Sequence, residues 1–359
     1  MESYIYLRGL RHADHTVFCV HEGQKYYFDP VFSNVRMPYS SGQQVKRSIL
    51  ELISSSLIQD RSPVSFIWKA PSLEEGEVLS LCDPRYFDQI FGGWMHTAQK
   101  DKSGTKKDRT LKRRSPFSIS AMRPVHPLLG GIESENMTFD RSDRPEIPNK
   151  VIVRDSSGKQ LSNEQVEALL SGTDRSLLKK WLKPGNRASG LFVYDIAIDL
   201  RTLFCVSTNQ MEPEMRADTI EALKKEEWIE SKNVFGACLV MPENLRKKAI
   251  PVIAHALINW RIGSNQARTF SLMETLAISI SNNANQIATS IRAKLIDSDS
   301  ERPKARLIID EDAGAEVFIT PSCSAYTITT TESKDALEKA EEKLIEMLSG
   351  FDYEKQIAE

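Results

Sequence analysis

From Ser62 to about Lys150 no hydrophobic period survives for more than a few residues, and Pro and Gly recur throughout. A stretch this long and irregular inside a compact domain is either functional or disordered. It divides the chain into two better-ordered halves that any fold has to bring together. The first half offers strand, strand and helix; the second offers strand, helix and strand, then a small helical end. Such an order, interrupted by one excursion, predicts an α+β domain.

The individual elements follow from local pattern. "SYIYLRGL" (3–10) and "TVFCV" (16–20) predict strands from their β-branched and aromatic content, and "HEG" turns the chain into "QKYYFDPVF". Val45, Ile49, Leu52, Ile53 and Leu57 recur at helical spacing until "DRSP" (60–63) stops the helix. Inside the irregular stretch, "RYFDQIFGGWM" (85–95) and "SPFSISAMRPVHPLLGG" (115–131) stand out as ordered islands. Residues 161–183 predict two short helices around Ser171-Gly172, and "LFVYDIAIDLRTLFCVS" (191–207) predicts a central strand. Helices are expected at about 218–230 and 243–260, then strands at 305–309, 316–319 and 325–331. The chain closes with a helix from Ser333 to Leu348, striped by Leu337, Ala340, Leu344 and Leu348.

Composition narrows the function classes. No run of about 18 apolar residues exists, so no membrane span is expected. The N-terminal "MESYIYLRGL" alternates and carries an early acid, which predicts no secretory leader. Cys19, Cys82, Cys205, Cys238 and Cys323 are scattered and never form a CxxC pair. That usage fits a reducing cytoplasm and predicts neither a metal centre nor a disulfide framework. A net charge of −2 argues against a general nucleic-acid condenser but leaves room for local positive charge. Residues 100–114, "KDKSGTKKDRTLKRR", hold eight cations against two acids, a composition that also suits a solvated loop.

Enzyme motifs are absent: there is no P-loop, G-x-G-x-x-G, G-x-S-x-G or H-E-x-x-H. "RHADHTVFCVH" groups His12, Asp14, His15 and His21, as a metal site would, but an exposed turn between strands has the same composition. No cofactor and no catalytic role are expected. Phosphate binding has more support, because "SSGQQVKR", "KDRTLKRR" and "GSNQAR" each combine small residues with cations. In the first, a helix begins with Ser, Gly and Gln where acids are usual, then places Lys46 and Arg47 in its first turns. Free N–H groups at a helix start already attract anions, and Ser41 and Gln43 add donors. In the third, Gly263 permits close backbone approach beside Gln266 and Arg268. Three such loops on one α+β core suggest an extended polyanion, against whose bases Trp94, Met95, Phe117 or Met122 could stack.

These stretches together resemble the CRISPR Cascade backbone subunit, the seventh Cas protein family, a DevR-like RAMP protein. "SGQQVKR" (41–47) resembles the family's S-G-Q-x-[LV]-K-R signature, and "IFGGWM" (90–95) its L-F-G-R-M segment. "SPFSISAMRPVHPL" (115–128) is similar to G-A-x-S-I-A-H-A-I, and "ASGLFVYDIAIDL" (188–200) to S-S-G-x-F-Y-x-Y-x-x-I-N-L. "VIAHALINWRIGSNQARTF" (252–270) is similar to the helix and loop ending in G-x-x-Q-R-T. The matches keep family order over roughly residues 4–275; the last 80 or so residues carry none.

The resemblance implies a ferredoxin-like or RRM-like palm in two parts (1–60 and 190–331), a fingers insertion (61–150), a thumb (151–189) and a C-terminal helix (332–359). It implies copies of the chain in a filament along CRISPR guide RNA, with other Cascade subunits, and target DNA engaged through the guide. Carried onto this sequence, Ser41, Gln43, Lys46 and Arg47 would contact guide phosphates, Met95 would sit near a nucleotide, and Gln266 and Arg268 would line the same groove. Arg113 and Arg114 in the basic run are added by charge, as are Lys179, Lys180 and Arg187 in the thumb. The basic insert 99–114 departs from the family's shorter link at that place. Two rivals stay open: a type III-like backbone subunit cutting target RNA through Asp14 or Asp29 with a metal, and a DevR-type regulator working without guide RNA.

Overall fold

Alternation governs the strand that organises the molecule. In β1 (Tyr4–Thr16), Ile5, Leu7 and Ala13 face inward while Tyr4, Tyr6 and Arg8 lie on the opposite, partly open face. The computed structural model describes residues 3–18, 24–32, 34–69, 74–97, 109–135, 138–140, 152–173, 179–181, 185–263, 270–297 and 303–357. After β1 come α1 (Gly42–Ser56), β2 (Phe117–Ile119), β3 (Arg123–Pro124), β4 (Gly130–Glu135) and β5 (Gly185–Asp199). The second half adds α2 (Glu243–Asn259), β6 (Thr275–Ser281), β7 (Glu316–Ile319) and α3 (Ala336–Ser349).

The main sheet runs β4-β5-β1-β6-β7, with β2 and β3 also on β5. Every pairing is antiparallel; Tyr4 faces Asp199 and Arg8 faces Asp195 across β1 and β5, while Tyr6 faces Ser281 on β6. β2, β3 and β4 follow one another along the same edge of β5, pairing Phe117 with Ile198, Arg123 with Val193 and Gly130 with Gly190. They act as one interrupted strand. With them counted as one, the order β–α–β–β–α–β has the split βαβ arrangement of ferredoxin-like domains. The protein is therefore α+β, as its sequence predicts, and the irregular stretch supplies an edge of the central sheet.

Two apolar layers cover this sheet. Ile5, Leu7, Ile196 and Ile198 pack with Val45, Ile49 and Ile53 of α1 and with Ile253 and Leu257 of α2. α3 brings Ala340, Leu344 and Leu348 onto the same core. On the other face, Leu10, Leu191 and Ala277 are covered by Ile291, Leu307 and Ile309 of the hairpin Ile291–Ile296/Lys304–Ile309. Arg8 lies at the margin of that cover, donating to Ile291 O at 2.9 Å. Arg11 enters the helical side of the core, 2% exposed, donating to the carbonyls of Trp260 (2.6 Å) and Ile258 (2.9 Å) at the end of α2.

Several elements depart from the sequence expectations. The first expected strand runs on through the histidines to Thr16, with the rings of His12 and His15 on Glu274 (2.8 Å) and Glu133 (3.0 Å). Of the second, expected at 16–20, Val17 and Phe18 lie in no strand, and residues 19–20 fall outside the described residues. The strand expected at 191–207 ends at Asp199, whose carboxylate caps the short helix Leu200–Leu203 before Cys205–Ser207 resumes as a strand. Of the two helices expected at 161–183, the described residues show one, Asn163–Leu170, and Lys179–Trp181 pairs instead as a strand with Thr138–Asp140. Residues 174–178 and 182–184 lie outside the described residues. The strand expected at 325–331 does not form, and β6 stands where none was expected.

Cys82, Cys205, Cys238 and Cys323 are all buried. Burial pushes the thiols of Cys82 and Cys323 up to about 11. Because the thiolate is the reactive form, iodoacetamide at pH 8 is expected to leave Cys82 and Cys323 unlabelled in the native protein and to label both in urea. Peptide mapping by mass spectrometry reads this, and rapid native labelling of Cys323 would refute the buried placement.

Candidate nucleic-acid interface

The start of α1 is built by its neighbours. Ser40 makes a two-way backbone bridge with Met122 (3.0 Å each way), which seats the chain against the interrupted edge strand. Gln24 is buried and holds this approach, accepting from Phe18 N (2.8 Å) and donating to Tyr39 O (3.0 Å). Ser41 caps the helix, accepting from Gln44 N at 3.2 Å. Gly42 is pressed against the backbone of residues 119–120; a Cβ there would lie 2.4 Å from Ile119 O. The first turn contains no acid.

Lys46 is half-buried, and burial lowers the pKa of its ammonium. Among the described residues no carboxylate pairs with it. A desolvated cation near free helix N–H groups gains strongly from an arriving anion. Gln43 is exposed beside it, with no side-chain partner among the described residues. Arg47 is exposed but engaged with Glu51 (2.9 Å), which also holds Arg61 (3.2 Å).

Next to this helix start stand two arginines that sequence inspection passed over. Arg123, one residue beyond the Met122 bridge, lies over the ring of Tyr27 at 4.7 Å. Arg36 lies over Tyr26 at 4.4 Å and donates to Asn186 Oδ1 at 2.7 Å. Both tyrosines belong to the hairpin Tyr26–Asp29/Val35–Pro38, which also leaves Phe28 and Val35 exposed. The result is a cation-rich, aromatic surface running from the start of α1 across β3.

The remaining expected residues are placed differently. Met95 is 55% exposed on the hairpin Trp94–His96/Leu111–Arg113, which follows a short helix (Phe87–Gly92) packed beside α1. Arg114 is exposed just past that hairpin. Arg113 is instead buried: it donates to Thr202 O (2.7 Å), meets Glu214 (3.4 Å) and lies over Trp94 at 5.6 Å. Those contacts anchor the hairpin to residues 202–214, so Arg113 serves the structure and offers no open face to a ligand. Arg187 is half-buried inside β5, with Nη1 on Asn186 O (3.0 Å). Lys179 and Lys180 sit in a short strand whose backbone pairs with Asp140 and Phe139. Gln266 and Arg268 lie outside the described residues.

The residues that could tempt a catalytic reading do not converge. His12 and His15 go to separate glutamates, and Asp29 accepts from Val31 N and Phe32 N within its own turn. Among the described residues no group of His, Cys, Asp or Glu could hold a metal ion, and no helix is long and apolar enough to cross a membrane.

No protein-family model and no curated protein matches the sequence. Among solved structures, the chain is similar to one titled "CRISPR RNA-guided surveillance complex", at 10% identity and a TM-score of 0.37, covering 96% of this chain and 85% of that one. A second, titled "CRISPR RNA-guided surveillance complex, pre-nicking", has 8% identity and a TM-score of 0.43, covering 98% and 90%. At these values neither likeness assigns a family or an activity to the chain.

Proposed function

We propose that the protein is a guide-RNA-binding backbone subunit of a type I Cascade-like complex, which lines up in copies along the RNA and reaches target DNA through guide pairing. The observation that carries this is Lys46: a half-buried cation with no carboxylate partner among the described residues, at a helix start capped by Ser41 and free of acids. Arg36 and Arg123, stacked on tyrosines, extend that positive surface in the way a backbone-tracking groove requires. The ordered run of family-like motifs from "SGQQVKR" onward supports the same reading. No chemistry on the RNA is proposed.

The test is co-expression with a CRISPR array, followed by the 260/280 nm absorbance ratio and sequencing of bound RNA. The wild-type protein is expected to carry RNA of uniform guide length. A Lys46→Ala/Arg47→Glu variant is expected to lose at least tenfold of that RNA, with a shallower salt dependence, since each phosphate contact contributes roughly 0.7 to the single-strand salt slope. Folded wild-type protein that purifies without RNA would sink the proposal.

A further inference from the structure

A wide cleft lies between the hairpin Trp94–His96/Leu111–Arg113 and the small sheet formed by Cys205–Ser207, Ile229–Asn233 and Gly236–Val240. It holds about 1400 Å³, and Ser115, Pro116 and Ser118, at the start of the edge strand on which α1 rests, form one wall. Its lining holds five cations against three acids. Two of those acids are already engaged, Asp199 by Arg201 (2.8 Å) and Glu214 by Arg113 (3.4 Å) and Ser207 N (2.8 Å). Lys112 and Arg114 are exposed at the rim, with no side-chain partner among the described residues. Among the described residues Arg109 is held by the carbonyls of Gln210 and Met211 and by no carboxylate.

The wall opposite these cations carries an aromatic feature. The Arg201 guanidinium lies 4.9 Å from the ring centre of Tyr4 and 4.9 Å from that of Phe235. Phe235 is 57% exposed at a hairpin tip, beside Val234 at 59%. Tight hairpin tips favour Asn, Asp and Gly, whose polar side chains suit water. Here Asn233 and Gly236 make the turn, with Gly236 at φ +120°, and the two central positions hold apolar side chains facing solvent. An exposed ring held beside a guanidinium, facing a row of uncompensated cations, is a platform for a base whose phosphates the cations take. A duplex hides its base faces and could not use the ring.

We propose that this cleft binds a single-stranded nucleic acid as a site separate from the α1 grip, with Lys112 and Arg114 on phosphates and Phe235 stacked on a base. It goes beyond the guide-RNA reading and stands on its own charges and ring. A strand here would lie beside whatever α1 holds, since both sites abut the same edge segment.

The experiment is fluorescence anisotropy of the full chain, as purified, with labelled oligo(dT) and oligo(rU) of 20 nucleotides, for wild type, Lys112→Glu, Phe235→Ala and Lys46→Ala/Arg47→Glu. Phe235→Ala is expected to weaken binding roughly 5- to 100-fold, the range of one lost base stack. Lys112→Glu is expected to weaken it at least fivefold and to flatten its salt dependence. Both should keep the wild-type melting temperature and the wild-type amount of co-purified RNA. The dT and rU arms tell whether the strand is DNA or RNA. Unchanged affinity in both cleft variants overturns the proposal, as does loss in the Lys46 variant alone. So does a change of oligomer size without a change of affinity, which would make the cleft a protein interface. Should wild type carry no guide RNA and yet bind oligonucleotide through Lys112 and Phe235, the guide reading fails and the cleft stands.

Discussion

Replacing Arg11 by Ala is expected to cost the fold about 3 kcal/mol, seen as a drop of roughly 4 °C in melting temperature. Arg11 is 2% exposed and crosses from β1 to the end of α2, where the carbonyls of Ile258 and Trp260 accept its two terminal nitrogens. Its plane lies 4.1 Å from the centre of Trp260 and 5.4 Å from that of Tyr194. Among the described residues no carboxylate compensates it, and burial lowers its pKa. The charge is instead held by a helix C-terminus and two rings, both of which favour a cation. Alanine would leave the carbonyls unsatisfied and open a void between α2 and the sheet. Arg11→Met separates these effects: it fills the space, removes a desolvated charge and leaves only the carbonyls unpaired. Its expected cost is about half that of Ala. Urea titration of the three proteins checks this, and an Ala variant within 1 kcal/mol of wild type would refute it.

The same region shows how far the sequence could be read. α1 was legible because a 3.6-residue apolar period and a Ser cap are local signals. So were α2 and α3. β6 was passed over although Leu276, Ile278 and Ile280 alternate with Ala277, Ser279 and Ser281; the short run holds no aromatic residue and its small residues are buried as well. Lys179–Trp181 became a strand through pairing with residues some forty positions earlier, which no local window reports. Arg113 illustrates a recoverable error. Within "LKRR" it shares a face with Leu111, so alternation alone turns both inward and leaves Lys112 and Arg114 outside. Arg36 and Arg123 carried no signal: each is a lone cation, and only the fold sets them on the two tyrosines of one hairpin, Arg36 from its own second strand and Arg123 from β3. A charge cluster in sequence therefore predicted basic surface less well than the sheet register did.

Gly42→Ala is expected to destabilise the protein by about 1–3 kcal/mol and, under the proposed guide-RNA reading, to reduce co-purified RNA at least tenfold, without removing any charge. The sign is what makes this informative. Inside a helix, Ala is favoured over Gly by about 1 kcal/mol, so a helix start with room around it would be stabilised by the change. At Gly42 the added methyl would stand 2.4 Å from Ile119 O and 3.1 Å from Ser120 C and O, all backbone atoms that cannot rotate away. Relief requires α1 to lift from the edge strand, which moves Ser41, Gln43 and Lys46 relative to Arg123 and breaks the surface a sugar–phosphate chain would follow. Gly131→Ala supplies the matched control: nothing lies within 4 Å of its Cβ position, and a change within about 0.5 kcal/mol is expected. Thermal unfolding and the 260/280 nm ratio of both variants decide the matter. A stabilised Gly42→Ala that keeps its RNA would mean that contact between α1 and the edge strand does not set the geometry of the grip. Lost RNA with the expected destabilisation would tie the binding surface to the same backbone contact that seats α1 on the interrupted edge strand.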